Sequence, residues 1–123
     1  ILNNFIDNNV KLAICTSDNR LNTINNLKYL GIYDYFDILL CSGDNNFKPK
    51  PNPNNINYIT SSLDIPLYNT YMVGDTSHDI LMANNAGVNG VGVLSGVGDY
   101  SSLKYHTDII INSVEDLPNI IFD

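Results

Sequence analysis

The chain has 123 residues, 44% of them hydrophobic, and a formal net charge of −7 with only six Lys and Arg. That length suits one domain with a modest core. The charge argues against a nucleic-acid binder, which would carry a basic face, and it leaves any anionic substrate to be held by local donors or a metal. Asn pairs such as Asn25-Asn26, Asn54-Asn55 and Asn84-Asn85 are scattered over all the elements, so they read as compositional bias and not as a functional tract. Cys15 and Cys41 each end an apolar run, with no CxxC and no Cys/His spacing for zinc, and read as buried reduced thiols. No apolar run approaches the ~18 residues of a membrane span. The start lacks the basic flank of a signal peptide, so the cytoplasm is the expected setting.

In chain order, Ile1, Leu2, Phe5 and Ile6 recur at helical spacing and predict a short helix over residues 1–8. Residues 11–15 form an apolar run, a buried strand that ends in the cap and turn residues Thr16-Ser17-Asp18. Leu21, Ile24, Leu27 and Leu30 mark a helical face closed by Gly31. Residues 36–41 read as a strand and 42–53 as a polar, Pro-rich loop. Ile56, Ile59 and Leu63 give another helical face. A strand over 70–73 ends at Gly74-Asp75, and a helix over 79–86 stops at Gly87. A strand over 90–94, a glycine-bearing loop over 95–99, a short strand over 109–111 and a last helix over 114–121 complete the chain. Alternating strands and helices imply right-handed crossovers onto a parallel sheet, with ligands beyond the carboxyl ends of its strands.

Three stretches at those strand ends carry candidate chemistry. In Gly74-Asp75-Thr76-Ser77-His78-Asp79, Asp75 at a strand exit suits a hard cation with oxygen ligands. Asp79 in the first helical turn reads by itself as a cap. Thr16 and the Ser17 N–H could donate to a phosphoryl oxygen, although taken alone they read better as an ordinary capping turn. The prolines around Lys48 could hold its ammonium in one place as a point charge for phosphate, although lysines are mostly solvated. His78 and His106 read as surface residues.

Taken together and in order, these stretches resemble the haloacid dehalogenase (HAD) superfamily, in particular its phosphoglycolate phosphatase and β-phosphoglucomutase-like members. The resemblance rests on an apolar strand ending in Thr16, on Lys48-Pro49-Lys50-Pro51, and on Gly74-Asp75-x-x-x-Asp79 followed by Ala86-Gly87, and it covers nearly the whole chain. It implies a three-layer, Rossmann-like α/β core and a Mg²⁺-dependent phosphatase acting on a small phosphorylated metabolite. Thr16, Lys48, Asp75 and Asp79 would then be the catalytic set, with Thr16, Ser17 and Lys48 on the phosphate and Asp75 and Asp79 at the metal. The family's nucleophile and general acid/base come from an Asp-x-Asp motif on a central strand, and nothing in this sequence matches it. The expectation is therefore residues 1–123 as the C-terminal portion of the core, incomplete at that strand and inactive alone, with the nucleophile encoded upstream. Between Thr16 and Lys48 there is no room for a substrate-selecting cap domain.

Two other readings stay open. One is a non-catalytic HAD-like binding module or truncated pseudoenzyme. The other is a receiver-type signalling domain, which places its lysine late in the chain, whereas Lys48 precedes Asp75 and no acidic pair follows a first strand.

Overall fold

The computed structural model describes residues 2–94, 99–107 and 109–122. The loop expected over 95–99 therefore lies almost wholly outside the described residues. The chain runs α1 (Leu2–Asp7), β1 (Ala13–Asn19), α2 (Arg20–Tyr29), β2 (Ile38–Ser42), α3 (Asn54–Leu63), β3 (Tyr71–Gly74), α4 (Ser77–Ala86), β4 (Asn89–Val93), α5 (Tyr100–Lys104), β5 (Ile110–Ile111) and α6 (Leu117–Ile121). Short 3₁₀ turns occupy Tyr33–Tyr35, Leu67–Asn69 and Val114–Asp116. The last of these forms the front of the helix expected over 114–121. No helix among the described residues is long and apolar enough to cross a membrane.

All strand pairs are parallel, as the alternation of elements requires. They form two sheets, β1-β2 and β3-β4-β5, so β1 and β3 are edge strands with no ladder between them. Helices cover both faces, giving the three-layer α/β architecture. On one face Val91, Val93 and Ile111 pack against Phe5 of α1 and Leu117 of α6. On the other, Ile56 of α3 joins Met82, Ala83 and Ala86 of α4, and Cys15 of β1 and Met72 of β3 both pack against that cluster. Ile80, Met82 and Leu103 are fully buried, each burial stabilising the fold by about 1.5–3 kcal/mol.

Two elements depart from expectation for identifiable reasons. The strand expected to end at Cys15 continues to Asn19. Its pairing with β2 holds through Thr16↔Cys41 and resumes at Asn19↔Ser42, so Ser17 and Asp18 face no partner and bulge outward. In α2, only Thr23 and Leu27 are buried, while Leu21 and Leu30 are 69% and 65% exposed. A strict three-residue repeat falls about 60° short of a full turn at each step, so four such positions sweep half the helix circumference. Thr23 enters the core at no hydrogen-bonding loss because its hydroxyl donates to the Asn19 carbonyl at 2.8 Å.

The start of α2 is tied to the loop after β2. Arg20 donates from Nε and Nη2 to the two Asp44 carboxylate oxygens at 3.0 and 2.7 Å, and from Nη2 to the Leu39 carbonyl at 2.8 Å. Arg20, and secondarily the Cys41 N–H, hold the Asp44 carboxyl below the usual carboxylate range. A depressed folded-state pKa contributes stability above the unfolded value, about 3.9, which is lost as pH falls through the folded value. Arg20 is 46% exposed, so solvent screening limits the pair to about 1 kcal/mol or less. Urea unfolding of Arg20→Gln near neutral pH is expected to show that small deficit, and the gap to wild type should close as the pH drops below about 3.9.

Candidate functional site

The carboxyl ends of β1 and β3, the Pro-rich loop after β2 and the first turn of α4 meet at one cleft of about 470 Å³. Ser17, Lys50, Asp75, Thr76, His78 and Asp79 line it. Its organising contact is an ion pair in which Lys50 Nζ donates to Asp79 Oδ1 at 2.6 Å. The Asp79 side chain is 7% exposed and that of Lys50 21%. A carboxylate this deep is stable only when paired and hydrogen-bonded, and Asp79 has both. Its Oδ2 accepts from the Thr76 hydroxyl at 3.0 Å and from the Thr76 N–H at 3.4 Å, while Thr76 Oγ1 accepts the Asp79 N–H at 3.4 Å. This is a reciprocal capping box. Asp79 thus both caps α4 and fixes a cation.

The glycine of Gly74-Asp75 has a geometric cause in this site. A Cβ built on Gly74 would lie 2.2 Å from Asp79 Cβ and 2.6 Å from its Cγ and Oδ2. The strand exit and the helix start can approach this closely only if residue 74 has no side chain.

The structure brings together Ser17, Asp75 and Asp79 of the expected set, and the lysine that lines the cleft with them is Lys50, not Lys48. Lys48 is exposed and does not line the cleft. Its backbone is clamped by Asn55, with the Lys48 N–H donating to Oδ1 at 2.8 Å and its carbonyl accepting from Nδ2 at 2.6 Å. Lys50, two residues on, reaches Asp79 instead. The sequence held the signal, because Lys-Pro-x-Pro occurs there twice, as Lys48-Pro49-Lys50-Pro51 and as Lys50-Pro51-Asn52-Pro53. In the second register the lysine stands six positions before Ile56, the first apolar core residue of the following helix.

Thr16 is not among the residues lining the cleft, and its Oγ1 accepts the Asp18 N–H at 3.1 Å. Successive strand residues point to opposite faces, so Thr16 and Ser17 do not share one. Cys15 is partly buried, packed against the core cluster of α3 and α4. Burial pushes its thiol up, against the opposing pull of the Lys50 charge and the Asn55 amide. His78 is exposed, as expected, but stands at the rim of the cleft.

The metal expectation is met only in part. Asp75, half-buried at the strand exit, has the hard oxygens that Mg²⁺ prefers. Asp79 does not fit as a ligand, because Lys50 occupies one of its oxygens and Thr76 the other. Among the described residues no three His, Cys, Asp or Glu side chains gather to hold a metal ion.

Comparison with known proteins agrees with this geometry. The family model for haloacid dehalogenase-like hydrolases matches residues 1–93. The chain is 36% identical over 112 residues to a phosphoglycolate phosphatase of Neisseria meningitidis, covering 88% of this chain and 47% of that protein. It is 34% identical over 113 residues to the pyrophosphatase PpaX of Halalkalibacterium halodurans, covering 90% and 52%. The chain thus spans about half the length of the relatives it matches. A β-phosphoglucomutase of Clostridium difficile superposes with a TM-score of 0.77 at 30% identity, over 94% of this chain and 48% of that one. A HAD-superfamily hydrolase of Ehrlichia chaffeensis superposes at 0.79, over 98% and 54%, and at 22% identity supports the fold alone. With the Gly-Asp turn, the Lys-Pro loop and the three-layer core in place, the chain belongs to the haloacid dehalogenase-like hydrolases.

Proposed function

We propose that this chain is the C-terminal portion of a phosphatase core that hydrolyses a small phosphorylated metabolite, with its nucleophilic aspartate on an Asp-x-Asp segment upstream of residue 1. The observation that carries the reading is the Lys50–Asp79 pair, set between Ser17 and Asp75 at the carboxyl ends of β1 and β3. In such a site the Lys50 ammonium and the Ser17 donors would hold the non-bridging phosphoryl oxygens, where transition-state charge accumulates. Asp79 would fix the ammonium in direction, so that little reorganisation remains when phosphate arrives. Asp75 would offer a carboxylate to Mg²⁺, and the other protein ligands would come from the upstream segment.

The fold supports the same reading. Cys15 of β1 and Met72 of β3 pack under the same helices, yet the two strands share no ladder. A parallel strand between them would satisfy both edges and deliver its carboxyl end to the cleft. The relatives are named for a monoester and a pyrophosphate, so the substrate class is a small phosphate ester or anhydride. The competing reading is a module that binds a phosphorylated ligand without turnover.

A phosphatase assay separates the two. The 123-residue chain is expected to release no phosphate from a generic ester, and a version extended upstream through Asp-x-Asp is expected to do so, with the activity abolished by Asp75→Asn. Binding without turnover in the extended version would favour the module. Hydrolysis by the short chain that survives Asp75→Asn would contradict the role assignments.

A further inference from the structure

Asn55 is 0% exposed, in the first turn of α3, where a core position would ordinarily take an apolar side chain. An asparagine buried this completely is tolerated only if its amide is satisfied. Here the amide serves one loop residue, accepting the Lys48 N–H at 2.8 Å and donating to the Lys48 carbonyl at 2.6 Å. It also lies against the Cys15 thiol of β1. The carboxamide therefore acts as a substitute strand edge for a loop that has none.

The geometry extends two residues further. Pro49 and Pro51 flank Lys50 and restrict the backbone on both sides of it. Once Lys48 is fixed at both its N–H and its carbonyl, little freedom remains in the direction along which Lys50 leaves the loop. That direction ends at Asp79. We infer that Asn55 is a positioning residue, which acts through the Lys48 backbone to hold Lys50 on Asp79 in the cleft. The functional weight of this inference rests on the phosphate-site reading, but the positioning itself can be tested apart from it. It also separates Asn55 from the other asparagines, whose abundance is compositional.

Per-residue lysine acylation read by mass spectrometry on the folded chain tests this directly. In wild type, Lys50 is expected to react about tenfold more slowly than the exposed Lys48, the equivalent of a paired ammonium. In Asn55→Leu, which keeps the branched shape but removes the hydrogen-bonding groups, Lys50 is expected to approach the Lys48 rate while Lys11 and Lys28 are unchanged. A merely structural asparagine would lower stability and leave the lysine pattern intact, and that outcome overturns the inference. Should Asn55→Leu fail to fold, amide hydrogen exchange in wild type decides. The Lys48 N–H is expected to be protected although its residue is exposed, and exchange at the rate of a free amide overturns the inference. Inorganic phosphate titrated against Lys50→Ala addresses the other question. If binding survives that substitution while Asn55→Leu releases Lys50, the positioning role stands and the phosphate reading falls.

Discussion

Lys50→Ala is expected to lower kcat/KM on a phosphate monoester by on the order of 10²-fold or more, in a protein that carries the Asp-x-Asp segment. Lys48→Ala is expected to stay within about threefold of wild type. The two lysines lie in the same proline-rich run, and their different surroundings decide the outcome. The Lys50 ammonium is inside the cleft at 2.6 Å from a nearly buried carboxylate, whereas Lys48 is exposed and engaged only through its backbone. A cation held where charge develops acts on the transition state, while one free in solvent is screened and mobile. Lys50→Ala also strands the Asp79 charge, so urea unfolding is expected to register a loss of about 2 kcal/mol, below the range for fully buried pairs because Lys50 is partly exposed. Equal kinetic losses for both variants, or a loss confined to Lys48→Ala, would return the role to Lys48.

Gly74→Ala is expected to be the most damaging single methyl in the chain. The new Cβ would meet Asp79 Cβ at 2.2 Å. That atom is anchored to the backbone of α4 and cannot swing aside as the tip of a long side chain could. The strand exit and the helix start must therefore move apart, and that shift disturbs both the Asp79 cap and its pair with Lys50. Overpacking together with a lost cap gives an expected destabilisation of about 3 kcal/mol or more. Urea unfolding measures it, and hydrogen exchange should show the first turn of α4 losing protection. Wild-type stability in Gly74→Ala would mean that β3 and α4 are not in the close contact described.

Much of this arrangement could be read from residues alone, because strand exits in a parallel sheet collect at one rim and their residue types advertise the chemistry. Gly74-Asp75, the α4 cap and the alternation of strands and helices followed from local pattern. What escaped depended on tertiary contact. The lysine register was ambiguous between two overlapping Lys-Pro-x-Pro matches, and only the tertiary contact of Lys50 with Asp79 distinguishes them. The overrun of β1 beyond Cys15 depends on a pairing shift against β2. Asp79 reads as a cap from its spacing, and its role as a lysine partner comes from a residue 29 positions away. Asn55 was indistinguishable from the asparagines around it until its burial was known.

Ser17, Lys50 and Asp75 are proposed to share one phosphate-and-cation site, with Ser17 and Lys50 on the phosphate and Asp75 on the cation. Titration of the chain with inorganic phosphate, followed by backbone amide and lysine ammonium NMR signals, tests this most directly. Shifts are expected at Ser17, Lys50, Asp75 and Thr76, unchanged by Lys48→Ala and abolished by Lys50→Ala. Shifts centred elsewhere, or binding that persists undiminished in Lys50→Ala, would contradict it.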